Sequence, residues 1–166
     1  MKKQLFVILL TLFSISAISQ TNTLLTKEET INYINKKVKE AKGFDMINFN
    51  GVSEKVLDCG FKKSYSGENI ECIEIKGKYS YLTEFNPAHI KMLTEVNLYG
   101  NQVVGCIAID LIGKTAKFSS NFGLNESRTQ ASIIYLKSDP DNYKRISKAL
   151  LHLRDLYKAE DDPFDN

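Results

Sequence analysis

Tryptophan is absent from this chain of 166 residues, and histidine occurs only twice, as His89 and His152. With so few imidazoles, and with neither a His-x-x-x-His spacing nor a paired-cysteine motif, the parts for a zinc centre or a histidine acid–base pair are missing. Arginine is almost as scarce, with three against 19 lysines. Nor is charge of one sign in excess. The formal net charge is +2, and Lys2 and Lys3 account for it, so the rest of the chain is neutral. A nucleic-acid binder needs a basic surplus to displace counterions from phosphate, and this chain has none. The three prolines and nine glycines are scattered, leaving no low-complexity tract, no internal repeat and no linker that would divide domains.

Long apolar runs are also lacking, with one exception at the start. Lys2 and Lys3 precede an apolar stretch at 5–13 that only Thr11 interrupts, and Ala17-Ile18-Ser19 offers small residues at the positions a signal peptidase reads. The expectation is a signal peptide at 1–19, cleaved between Ser19 and Gln20, with export to the periplasm or out of the cell. The alternative, an uncleaved anchor, asks for about 20 apolar residues, more than this run contains. No cysteine stands near the cleavage site, which argues against a lipoprotein. A short leader at 20–25 and a single domain at 26–166 complete the expected organisation.

Of three cysteines, Cys106 lies in the apolar run VVGCIAI and reads as a small buried hydrophobe. Cys59 and Cys72 face each other across a hairpin centred near Tyr65 and Ser66, and export would permit a disulfide between them. A one-residue change of register pairs Leu57 with Ile75 instead and removes it. Both arrangements stay open at this level.

The pattern along the chain predicts the elements. Thr26-Lys27-Glu28-Glu29 fits a capping box, Ile31, Ile34, Val38 and Ala41 follow at helical spacing, and Gly43 supplies the stop, so a helix is expected over 27–42. Its Lys36, Lys37, Lys39 and Lys42 read as a solvated face. From 44 to 137 the period becomes alternating, and turn signals recur at Asn50-Gly51, Ser66-Gly67, Gly77-Lys78, Gly100-Asn101 and Gly113-Lys114. Tyr79, Tyr81, Thr83 and Phe85 alternate cleanly, whereas 103–109 is dense enough for a strand buried on both faces. The polar stretch 120–127 is expected to be the longest exposed loop. Finally, Ile146, Ala149, Leu150, Leu153, Leu156 and Tyr157 share one face of a helix, with Asp139 as N-cap and Pro140 at its first position. Phe164 in the acidic tail is expected to pack back on the domain.

These elements define an α+β fold: a curved antiparallel sheet of about seven strands, preceded by one helix and closed by a C-terminal amphipathic helix. Sheet followed by closing helix is also the order of pleckstrin-homology-like domains. The ending ALLHLRDLYKAEDDPF resembles the closing helix of short exported bacterial proteins of unknown function with that fold. The resemblance covers about 46–164, and the helix at 27–42 departs from its pattern, leaving a small barrel or another α+β arrangement open. It implies binding without catalysis. Lipid-binding members use basic residues around the loop between the first strands. Here only Lys55, Lys62 and Lys63 lie near such a loop, none is arginine, and inositol-lipid binding is not carried over.

Motifs for chemistry fail one by one. Gly113-Lys114-Thr115 matches the end of a Walker A loop, but Ala108 stands where its first glycine belongs and no helix follows. No serine lies in Gly-x-Ser-x-Gly, and the cysteines lack an evident histidine partner. Glu71 and Glu74 are three apart and cannot share a strand face as a carboxylate pair. No catalytic, cofactor-binding or metal-ligating residue is therefore predicted. Phe61, Lys62, Lys63 and Tyr65 interleave aromatics with positive charge and are the candidates for surface contact. The function expected is a non-catalytic binding or interaction module whose partner is a protein or a small ligand. A carrier of a small apolar or amphipathic ligand, the alternative, would show a cavity of roughly several hundred Å³. A small hydrolase would show a cleft in which His89 and acids converge.

Overall fold

The computed structural model describes residues 25–47, 51–97 and 103–161. The signal segment at 1–19, nearly all of the leader, the turn at Gly100-Asn101 and the packing of Phe164 lie outside the described residues. No helix among the described residues is long and apolar enough to cross a membrane.

Helix α1 (Lys27–Val38) begins as its capping box dictates. The Thr26 hydroxyl accepts from the Glu29 amide at 3.2 Å and the Glu29 carboxylate accepts from the Thr26 amide at 2.8 Å. Ile31, Ile34 and Val38 are buried, and the helix tightens into a 3-10 turn at Lys39–Ala41 before Gly43 turns the chain at φ +88°. Nine strands follow among the described residues, all paired antiparallel. Six form one sheet in the order β1 (Asp45–Ile47), β2 (Ser53–Lys63), β3 (Ile70–Lys76), β4 (Tyr79–Phe85), β7 (Ala116–Ser120), β8 (Asn125–Arg128). Three form a second sheet, β5 (Ile90–Val96), β6 (Val104–Leu111), β9 (Gln130–Leu136). Neither order returns to its start, so the sheets do not close into a barrel.

The fold is thus α+β with a helix before the strands and a helix after them, in nine strands and two sheets instead of about seven strands in one. Two local events make the difference. The stretch expected as a loop is a turn followed by the exposed edge strand β8, whose polar residues carry no apolar alternation to betray it. The chain then bends at Thr129, so that Arg128 ends β8 in one sheet while Gln130 begins β9 in the other.

The closing helix α2 (Asn142–Asp161) starts two residues later than its sequence suggests. Asp139 caps a tight turn instead, accepting from the Asp141 amide at 3.0 Å while its carbonyl accepts from Asn142. Ile146, Leu150, Leu153 and Tyr157 are buried, and each large apolar side chain so placed contributes about 1.5–3 kcal/mol. They lie with α1 over one face of the three-stranded sheet, against Ile107, Ile109 and Ile133. The other face of that sheet looks towards the six-stranded sheet.

Beyond β1, strand β2 would leave its edge unpaired. The α1 side chain Asn35 fills the gap, accepting from the Phe61 amide at 2.7 Å and donating to the Phe61 carbonyl at 2.8 Å, as a neighbouring strand would. Gly60 makes this approach feasible. A Cβ there would stand 2.9 Å from the Asn35 carbonyl oxygen.

Candidate functional site

Strand β3 sets the chemistry of the six-stranded sheet's inner face. Residues alternate across a strand, and Ile70, Cys72, Glu74 and Lys76 point inward while Glu71, Ile73 and Ile75 point out. On β4 the inward set is Phe85, Thr83, Tyr81 and Tyr79, and Ala116 and Phe118 continue it on β7. Two ends result. At one, Ile70 and Phe85 meet Phe61, whose ring stands edge-on to Phe85 at 6.4 Å between centroids, and everything is buried. At the other, the three-stranded sheet stands off, leaving a cavity of about 520 Å³ between the sheets.

Glu74, Lys76, Tyr81 and Phe118 line one wall of this cavity, and Val96, Cys106, Ala108 and Ser132 line the other. The second set comes from the side of β5, β6 and β9 opposite the helices, because Val96 pairs with Cys106 and Ala108 with Ser132 across that sheet. Arg128 and Leu124 from the β7–β8 hairpin, Glu54 from β2 and Gln130 from β9 also contribute to the lining. Leu124 is exposed and Glu54 half-buried, so the cavity is open to solvent on this side.

A buried ion pair occupies the polar wall. Lys76 Nζ lies 2.6 Å from Glu74 Oε2, with the side chains 12% and 7% exposed. Burial, the largest single influence, would lower the Lys76 pKa, but the charge and hydrogen bond of Glu74, helped by Cys106 and Tyr81, together hold the ammonium above the ordinary lysine value. The second oxygen, Glu74 Oε1, is buried with no hydrogen-bond partner. A buried acceptor left unmet costs about 1–3 kcal/mol, and more when it is charged. Arg128 is already engaged: Nη2 is 2.5 Å from Glu126 and the guanidinium lies 3.4 Å over the Phe118 ring. Glu54 has no ion-pair partner among the described residues.

Cys72 and Cys106 line the cavity and Cys59 is buried outside it, and in all three the thiolate is disfavoured. Burial, reinforced by the negative charge of Glu74, pushes Cys106 and Cys59 up to about 12 and Cys72 well above its ordinary value. Neither histidine lines the cavity. His152 Nε2 sits 2.8 Å from the Leu25 carbonyl, and His89 ends a 3-10 turn at Pro87–His89. Among the described residues, no group of three or more His, Cys, Asp or Glu is placed to hold a metal ion. The arrangement is equipped to hold a molecule, with apolar walls, one ion pair and one unmet acceptor.

Compared with known proteins, the chain matches no family model, no curated protein and no solved structure. Its own geometry carries the reading.

The residues singled out in the sequence are dispersed. Cys59 pairs across the sheet with Glu74, and Cys72 with Phe61, so the register does not set the two cysteines opposite each other. All three thiols are free and buried, with Cys59 donating to the Val38 carbonyl and Cys72 to the Ser132 carbonyl. Phe61 does not belong to a contact surface: alternation along β2 turns it inward, where it is buried against Phe85. Lys62 pairs with Glu71 at 2.8 Å, while Lys63 and Tyr65 are exposed at the hairpin. Gly113 turns the chain at φ +69° between β6 and β7. Sequence reasoning weighed Glu74 only against Glu71 and missed its pairing with Lys76, although a spacing of two places both on the face of Ile70 and Cys72. That shared phase was the available signal.

Proposed function

We propose that the protein is an exported, non-catalytic binding module that carries a small amphipathic ligand in the cavity between its two sheets. The observation behind this reading is the unpartnered, buried Glu74 Oε1 in the wall of a cavity of about 520 Å³. An isolated buried acceptor is costly, and a ligand that donates to it relieves the cost. The volume falls in the range of pockets that enclose small molecules. Protonated thiols and distant histidines support binding in preference to turnover. Export rests on the features of 1–19, with cleavage between Ser19 and Gln20 and a destination in the periplasm or outside the cell. From the resemblance to pleckstrin-homology-like domains, the proposal keeps only binding without catalysis.

Native mass spectrometry of the protein as its own cells accumulate it, purified gently and without reductant, tests this reading. A discrete small adduct that leaves on denaturation, and that is absent from Ala108→Phe, is the expected result. A bare chain under all conditions overturns it. A second reading, contact with a protein partner at the β2–β3 hairpin, is favoured by the complete exposure of Tyr65 beside Lys63. A protein-sized adduct lost on Tyr65→Ser would favour that reading over the first.

A further inference from the structure

Resting on the ligand-binding reading, we propose that the cavity selects a small amphipathic amine, whose ammonium donates to Glu74 Oε1 and whose apolar body lies between Tyr81 and the Ala108 wall.

Three observations lead there. First, Glu74 Oε1 is an acceptor, so whatever meets it must be a donor. An ether, ketone or carboxylate would leave it unmet. Second, both cations of the cavity are already engaged, Lys76 by Glu74 at 2.6 Å and Arg128 by Glu126 at 2.5 Å. An entering anion would have to displace one of these partners and would then stand beside the freed carboxylate. Third, the ion pairs leave one acid over. The lining holds two carboxylates and two cations, but Lys76 is taken by Glu74 and Arg128 by Glu126, which lies outside the lining, so one carboxylate of the cavity has no cation of its own. Glu54, half-buried and without an ion pair among the described residues, is the uncompensated one.

An ammonium answers all three conditions at once, since it donates, leaves the existing pairs intact and brings a positive charge near the unmatched Glu54. The remaining surface decides the rest of the molecule. Val96, Ala108 and Leu124 offer aliphatic contact and the Tyr81 ring an aromatic face, and none of them asks for a polar partner in the body of the ligand. The depth of Glu74 relative to Glu54 gives an order of events: Glu54 attracts the cation at the mouth and Glu74 receives it inside.

The test is isothermal titration of the protein, as its cells accumulate it, with three probes of one chain length: octylamine, octanol and octanoate. Octylamine should bind about tenfold more tightly than octanol, the margin of one charge-assisted hydrogen bond over a neutral one, and octanoate should bind most weakly. Glu74→Gln should bring octylamine down to the level of octanol. Because that change leaves Lys76 without its carboxylate, Glu54→Gln serves as the variant that leaves the buried pair untouched. It should weaken octylamine by about two- to threefold and leave octanol unchanged. Equal binding of octylamine and octanol, or tighter binding of octanoate, overturns the amine while leaving a ligand cavity in place. Binding of none of the three overturns the amine and the cavity reading together.

Discussion

The two ends of one sheet face make opposite uses of the same strands. At the sealed end, Phe61, Ile70, Phe85 and Ala116 interlock under cover of the rest of the molecule; at the open end, Glu74, Lys76, Tyr81 and Phe118 border empty volume. Only six residue steps along β3, about 20 Å of strand, separate Ile70 from Lys76. The difference lies in what stands opposite. Where large side chains from both sheets meet, there is core. Where the small Ala108 and Ser132 of the second sheet face long polar chains, there is room. Core and site are therefore continuous, and the site is held by the rigidity of the core beside it.

The largest effect should come from breaking the sealed end. Phe85→Ala removes a fully buried ring and should cost about 3–5 kcal/mol, while Tyr81→Ala at the open end should cost less than half as much. Urea unfolding of both variants checks this, and equal losses would erase the distinction. Next in size is the buried pair. Lys76→Met leaves the Glu74 carboxylate buried and uncompensated and should cost about 3 kcal/mol, whereas the double change Glu74→Leu with Lys76→Met should recover most of that loss. A double variant as unstable as the single would mean that the pair does more than neutralise itself.

Alkaline pH provides a subtler probe. The folded chain keeps Cys59 and Cys106 protonated to about pH 12, whereas the unfolded chain releases those protons near 9.0. Their contribution to stability is thus complete below pH 9 and is lost as pH rises towards 12. The raised Lys76 pKa acts in the same direction, its contribution fading only above the ordinary lysine value of 10.5. Melting temperature should fall steadily across this window, and Cys106→Ala should flatten the slope. At pH 8 the folded protein should leave a thiol reagent such as Ellman's almost unreacted until denaturant is added. Smallest of all, Tyr65→Ser at the exposed hairpin should change stability by less than about 0.5 kcal/mol.

Local rules made much of the architecture legible. The Thr26 capping box, the alternation from Tyr79 to Phe85 and the apolar stripe from Ile146 to Tyr157 each depend on neighbours in sequence, and each took the form its pattern specified. Register did not, because the alternation within each strand is the same whether Cys59 meets Cys72 or, as it does, Glu74. Nor did the phase of β3. Its outward residues include Ile73 and Ile75 and its inward ones Glu74 and Lys76, so hydrophobicity alone points the strand the wrong way round. The candidate site was hidden for the same reason that it can bind: it puts charge where a core would put carbon.

The Asn35 clamp on Phe61 also has a meaning for the order in which the chain is made. Helix α1 leaves the ribosome before β2 does, and the amide that covers the strand's open edge lies 26 residues ahead of the backbone it covers. Each new β2 edge thus meets its own guard already synthesised, and a neighbouring nascent chain arrives too late to take that place.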